Sequence, residues 1–305
     1  MSRAQTLLPI PPRDAPEEPM PGMAITDAQR EALEIEERFI PGPPGAPDVR
    51  VLVYRPRETK GTFPLLLHFH GGAFCFFHPE SFGGMEAGFA LTHQCVVVSV
   101  DYRLAPEHPY PAAPEDCYAA LEWAAHNADA LGVDLDRLVV TGGSAGGALS
   151  AAVALMARDR GGPAITYQAL MIPVLDDRLK TPSIRQAEGG PGFNAAGAEG
   201  MWLHYLGESA DREKTPAYAA PARAESLAGL PPTFIQTNGR DPLRDEGIEY
   251  ALRLLADGVE VELYNCPGAY HGHPPEDERT AALAFRVYDA ALGAALNPSA
   301  PTGTI

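Results

Sequence analysis

The chain predicts an α/β fold, a mostly parallel sheet flanked by helices and interrupted by one helical insertion. Three observations point there. Apolar β-type runs alternate with helix patterns through most of its 305 residues, enough for one such domain with an insertion. Phe63-Pro64-Leu65-Leu66-Leu67-His68-Phe69 is nearly continuously apolar, as in a strand covered on both faces. The alternation stops after Leu170-Met171-Ile172-Pro173-Val174 and resumes at Thr233.

Taken in order, residues up to about Pro21 are proline-rich and read as extended. Thr26-Asp27-Ala28-Gln29 has the form of a capping box and predicts a helix running to about Phe39. Val96-Val97-Val98-Ser99-Val100 and Arg137-Leu138-Val139-Val140 read as further strands, and small residues from Ala145 to about Arg158 read as a helix. From Asp176 to about Leu230 glycine and proline loops surround one helix pattern, Ala195 to Leu206. Thr233–Asn238 and Val259–Tyr264 are the last strand-like runs.

The chemistry concentrates where these strands end. Gly142-Gly143-Ser144-Ala145-Gly146 reads Gly-x-Ser-x-Gly between a strand and a helix, the setting of a nucleophile elbow. Gly142 and Gly146 remove side chains where strand and helix nearly touch. The strand at Phe63–Phe69 runs into His70-Gly71-Gly72-Ala73-Phe74, whose glycine N–H groups can hold a developing oxyanion. Gly71, Gly72 and Ala145, the residue after the serine, are the candidate donors. His70 is assigned to holding that glycine loop in shape. Asp241, just past the strand Thr233–Asn238, can orient an imidazole. Its rival Asp245 falls where the next helix should begin and reads as a first-turn charge. His271, on the loop after the last strand with Gly272 beside it, is the candidate base, and His273 is the rival.

On these motifs, with Asp101-Tyr102-Arg103-Leu104-Ala105-Pro106-Glu107-His108-Pro109-Tyr110-Pro111-Ala112, the chain from about Val49 to Ala291 resembles the hormone-sensitive-lipase-like branch of the α/β-hydrolases, the bacterial family IV esterases. The resemblance implies an α/β-hydrolase fold with an eight-stranded sheet and a helical cap. It implies a serine carboxylesterase acting on small to medium acyl esters, with Ser144 as nucleophile, His271 as base and Asp241 as orienter. It divides the chain into an N-terminal cap segment (1–45), a core (46–175), a cap insertion (176–230) and the rest of the core (231–305). The chain departs from the family pattern at Ala73, usually glycine, at Gly143, usually acidic, and at His273, usually Phe. Lyase or acyl-transfer chemistry on the same scaffold is the alternative, followed by a non-catalytic ligand-binding protein. Asp101, Arg103 and Glu107 read as charges tying loops together. Phe74, Phe76, Phe77 and Phe82, beside the glycine loop, are candidate pocket walls because a run of loop aromatics needs a cover. Trp202 and Tyr205 of the insertion are further candidates, though such residues more often form lid core.

A formal charge of -17 argues against nucleic acid and anionic membranes as partners. The expected partner is a small-molecule ester, and a homodimer is left open. Four dispersed cysteines, Cys75, Cys95, Cys117 and Cys266, lack metal-ligand spacing, and no cofactor fingerprint or metal site is expected. The start of the chain lacks a long apolar segment and no run approaches a membrane span, so a reduced, cytoplasmic compartment is the expectation.

Overall fold

The computed structural model describes residues 2–11, 19–58, 61–186 and 192–298. Its frame is an eight-stranded sheet. In chain order the strands are β1 (Leu33–Ile40), β2 (Val49–Pro56), β3 (Phe63–Phe69), β4 (Val96–Asp101), β5 (Val133–Gly143), β6 (Tyr167–Met171), β7 (Thr233–Asn238) and β8 (Val261–Cys266). They lie in the order β1-β2-β4-β3-β5-β6-β7-β8. The first two are antiparallel to their neighbours and the other pairings are parallel. Parallel neighbours need long crossovers. The helices α3 (Gly83–His93), α4 (Ala112–His126), α5 (Ala128–Leu131), α6 (Ala145–Arg160), α9 (Arg244–Ala256) and α10 (Glu278–Leu296) lie in those crossovers and after β8.

Two-residue periodicity sorts each strand onto two cores. Leu65, Leu67 and Phe69 join one cluster with Val98, Val140 and the inner side of α6. Leu66, Val97 and Val139 join another, with Phe89 of α3 and Tyr288 and Leu292 of α10. The second face also holds a polar group: His68 Nδ1 lies 2.7 Å from Glu86 Oε1, and Ser99 bonds the same oxygen. No helix among the described residues is long and apolar enough to cross a membrane.

Two expectations fail near the N-terminus. The capping box forms, with Thr26 and Gln29 bonding each other's backbone, but its helix α2 covers only Asp27–Ala32. The chain then becomes β1, pairing with β2 from Leu33↔Pro56 to Ile40↔Val49. Leu33 and Ile40, the buried ends of this segment, are seven apart, a spacing a helix also satisfies, and the tertiary partner decides. Residues 33–40, expected within the N-terminal cap segment, thus lie in the sheet. The stretch expected to be extended contains α1 (Arg3–Leu7), capped by Ser2; the part of it from 12 to 18 lies outside the described residues.

The insertion carries α7 (Pro182–Gln186) and α8 (Ala195–Leu206), the latter spanning the expected residues. Its Asn194 cap accepts the Gly197 N–H at 3.0 Å. α1 lies on α8: Ala4 N–H donates to Glu208 at 2.6 Å, and Arg3 pairs with Glu199. The approach depends on Gly200, where a Cβ would lie 2.7 Å from Leu8 Cβ.

Candidate active site

The serine turn forms where β5 meets α6. Ser144 has φ 55° and ψ -115°, a conformation that costs a non-glycine residue about 1–3 kcal/mol unless its surroundings hold it. Here they do. The Ser144 N–H donates to Met171 O at 2.9 Å, and Val174 N–H donates to Ser144 O at 3.2 Å. The flanking glycines are required sterically. A Cβ at Gly146 would sit 1.9 Å from Phe69 O, and one at Gly142 would sit 2.4 Å from the same oxygen.

Three side chains meet at this turn. His271 Nε2 lies 2.8 Å from Ser144 Oγ, and His271 Nδ1 lies 2.7 Å from Asp241 Oδ2. Asp241 is only 2% exposed, and its other oxygen accepts the Leu243 N–H at 2.8 Å. The histidine loop is tied back to the sheet. Asn238 Nδ2 donates to Tyr270 O at 2.8 Å, and Gly239 N–H donates to Cys266 O at 2.7 Å. The rivals lie elsewhere. Asp245 accepts the Ser183 N–H at 2.7 Å and pairs with Arg244, so it fastens α9 to α7. His273 is exposed, and its backbone bonds Tyr270 in both directions at 3.2 Å.

The glycine loop abuts the serine: a Cβ at Gly71 would lie 3.0 Å from Gly143 O and 3.8 Å from Ser144 Cβ. Gly72 has φ 114°, and a Cβ there would strike Phe76 O at 2.2 Å. Among the described residues, the N–H groups of Gly71, Gly72 and Ala145 make no turn or loop hydrogen bond. His70 holds this arrangement from below. Burial pushes its imidazole down to about 4, so the ring is neutral at pH 7. Its Nδ1 lies 2.7 Å from Gly71 O, which assigns the proton to that nitrogen. The ring stacks on Tyr102 at 4.2 Å, and the Tyr102 hydroxyl donates to His70 O at 2.8 Å. The His70 and Gly71 carbonyls are thereby fixed.

Ala73 and Phe74 follow with φ 53° and 60°. The third position of the loop is therefore left-handed, and Ala73 adopts, at a steric cost, what a glycine there would adopt freely. Gly143 is different. A Cβ there would meet nothing nearer than Met171 Cβ at 4.0 Å, and the backbone is outside the left-handed region. Gly143→Asp is therefore expected to fold, to hold or raise turnover of p-nitrophenyl esters, and to gain about 0.4–1 kcal/mol by restricting the unfolded chain. Measuring kcat/KM and Tm checks this, and a fall in both would mean that the glycine is required.

The aromatic candidates divide into two groups. Phe74, Trp202 and Tyr205 are 0%, 0% and 1% exposed. Phe74 stacks on Tyr205 at 3.8 Å, with Trp202 6.2 Å from Phe74. These three form a packed joint between the glycine loop and α8 instead of a pocket wall, because each fills its neighbour's surface. Phe76, Phe77 and Phe82 stay half-buried, with Phe77 edge-on to Phe82 at 5.7 Å. Asp101 and Arg103 tie loops together, as expected. Arg103 grips Asp116 at 2.9 and 2.7 Å, while Asp101 pairs with Arg50 and His78. Sequence reasoning missed Phe193, whose ring lies 4.8 Å from that of His271. It sits in the insertion, and only its place just before the Asn194 cap marked it.

Comparison with known proteins agrees with this geometry. The profile of the alpha/beta hydrolase fold family matches residues 66–274. Esterase LipI of Mycobacterium tuberculosis is 41% identical over 241 residues, covering 79% of this chain and 75% of that protein. Carboxylesterase NlhH of the same organism is 41% identical over 243 residues, covering 79% and 76%. The solved structure titled Bacterial Heroin Esterase superposes with a TM-score of 0.81 at 42% identity, covering 86% of this chain and 85% of that one. The chain belongs to the alpha/beta hydrolase fold family, in its hormone-sensitive-lipase-like branch.

Proposed function

We propose that this carboxylic ester hydrolase works through an acyl-enzyme on Ser144, with His271 as the base and Asp241 as its orienter. The observation that carries the reading is the unbroken chain from Ser144 Oγ through His271 to Asp241, with bonds of 2.8 and 2.7 Å. Ser144 Oγ attacks the ester carbonyl carbon while its proton passes to His271 Nε2. The carbonyl oxygen becomes negative and is held by the N–H groups of Gly71, Gly72 and Ala145, which make no turn or loop hydrogen bond of their own among the described residues. His271 then protonates the leaving alcohol, the C–O bond breaks, and Ser144 is left acylated. Water then enters and attacks the acyl carbon as His271 takes its proton; His271 returns a proton to Ser144 Oγ as the bond between that oxygen and the acyl carbon breaks, which releases the acid and frees the serine.

The substrates are small to medium acyl esters, lying beside Phe76, Phe77 and Phe82 under a cap. The cap consists of the insertion 176–230 and the N-terminal segment before β1. Its support is the contact of Phe193 with His271 and of α8 with Phe74. Gly200→Val, which pushes α1 off α8, is expected to raise KM most for longer acyl chains. Each lost methylene contact is about 0.8 kcal/mol, roughly fourfold in KM. A KM series unchanged from acetate to octanoate would leave α1 no part in the cap.

Partitioning tests the reaction path. With methanol present, p-nitrophenyl and phenyl esters of one acid should give the same ratio of methyl ester to free acid, because both pass through one acyl-enzyme. A ratio that follows the leaving group would exclude the shared intermediate.

A further inference from the structure

We propose that Glu246 is a positioning residue for this reaction, a strut that locks the nucleophile's loop to the helix carrying the acid. The inference rests on the triad reading above. Residues 171–174 clasp both backbone groups of Ser144. The next two residues, Leu175 and Asp176, donate their N–H groups to Glu246 Oε1 at 2.6 and 3.3 Å. Glu246 stands in the first turn of α9, five positions after Asp241, whose carboxylate and carbonyl accept the Leu243 and Arg244 N–H groups at 2.8 and 3.2 Å. One buried side chain, 2% exposed, thus bridges the segment that holds Ser144 and the segment that holds Asp241. No strand pairing links these two loops at this level, since the β6–β7 register ends at Met171↔Gln236.

The group's chemistry suits a strut. Burial pushes its carboxyl well above the ordinary range, the two backbone donors oppose this, and the charges of Asp176 and Asp241 add to it. A carboxyl oxygen accepts both N–H groups whether or not the group is protonated. The amide of Gln offers the same acceptor. Removing the acceptor strands two buried N–H groups and lets the Ser144 clasp move relative to His271, and misplacement by about 1 Å can cost 10²-fold in rate.

The test uses the full chain with Glu246→Ala, Glu246→Gln and Glu246→Asp. It reads kcat and KM on p-nitrophenyl butyrate and the rate at which a fluorophosphonate labels Ser144. The Ala variant should lose about tenfold to hundredfold in both kcat and labelling rate, with KM within about twofold. Gln should restore kcat to within about threefold of the parent, as an equivalent acceptor. Asp, one methylene short of the two N–H groups, should behave like Ala, which keeps the test available if Ala does not fold. Parental kcat in the Ala or Asp variant, or an equal loss in Gln and Ala, would overturn the strut. Failure of the triad reading would look different: the parent protein itself would take no label on Ser144.

Discussion

Ser144→Ala should lower kcat on the order of 10⁶-fold, leaving only the catalysis that the oxyanion donors and binding supply without a nucleophile. His271→Ala should lose nearly as much, because His271 Nε2, 2.8 Å away, is the base that meets Ser144 Oγ among the described residues. Asp241→Asn should cost on the order of 10⁴, since an amide favours the wrong tautomer of the imidazole. The neighbours supply the contrast. His273→Ala should keep most of the rate, its ring being exposed. Asp245→Asn should weaken the tie to Ser183 and lower Tm while leaving kcat within about threefold, because its bonds fasten α9 to α7 and not to His271. Steady-state kinetics on p-nitrophenyl acetate with a Tm for each variant checks the set. Equal losses at the two aspartates, or a dead His273→Ala, would undo the assignment.

Gly72→Ala should cost about 10² to 10³ in kcat with little change in KM. The position has φ 114°, and the added methyl would press on Phe76 O at 2.2 Å and on the Phe77 ring at 2.8 Å. Gly72 O also accepts the Cys75 and Phe76 N–H groups, each at 2.8 Å, so the loop cannot yield there without losing its own turn. The strain must therefore move the N–H groups of Gly71 and Gly72 away from the oxyanion. Ground-state binding does not use those donors fully, which is why kcat and not KM should carry the loss. Stability should fall as well, by more than about 1 kcal/mol, as expected for a side chain forced into a left-handed site. If kcat survives while Tm falls, the oxyanion is held elsewhere.

Much of this site was legible from the sequence because the chemistry of the fold sits on loops just past strand ends. Ser144, Asp241 and His271 each follow a strand-like run, apolar before Ser144, mixed before Asp241 and alternating before His271, and the structure brings those three side chains within hydrogen-bonding distance. Choosing Asp241 over Asp245 needed only helix reasoning, since a first-turn acid has its own local use. What was not legible depends on partners distant in sequence. The segment 33–40 satisfies helix and strand spacing alike, and only β2 decides between them. Phe74, Trp202 and Tyr205 look like any aromatic near a pocket until Phe74 is seen stacked on Tyr205 with Trp202 tilted against both. Glu246 reads as one more first-turn acid beside Asp245. Its two N–H donors lie 71 and 70 residues away, and no local pattern announces them.

The account stands most directly on Ser144 being an activated nucleophile. Treat the full chain with a stoichiometric fluorophosphonate, record the intact mass, and locate the adduct by peptide mapping. One phosphonyl group per chain, carried by the peptide containing Ser144 and absent from Ser144→Ala, with esterase activity falling in proportion to labelling, is the predicted result. An unlabelled chain that still hydrolyses esters, or a label on another residue that tracks the loss of activity, would contradict it.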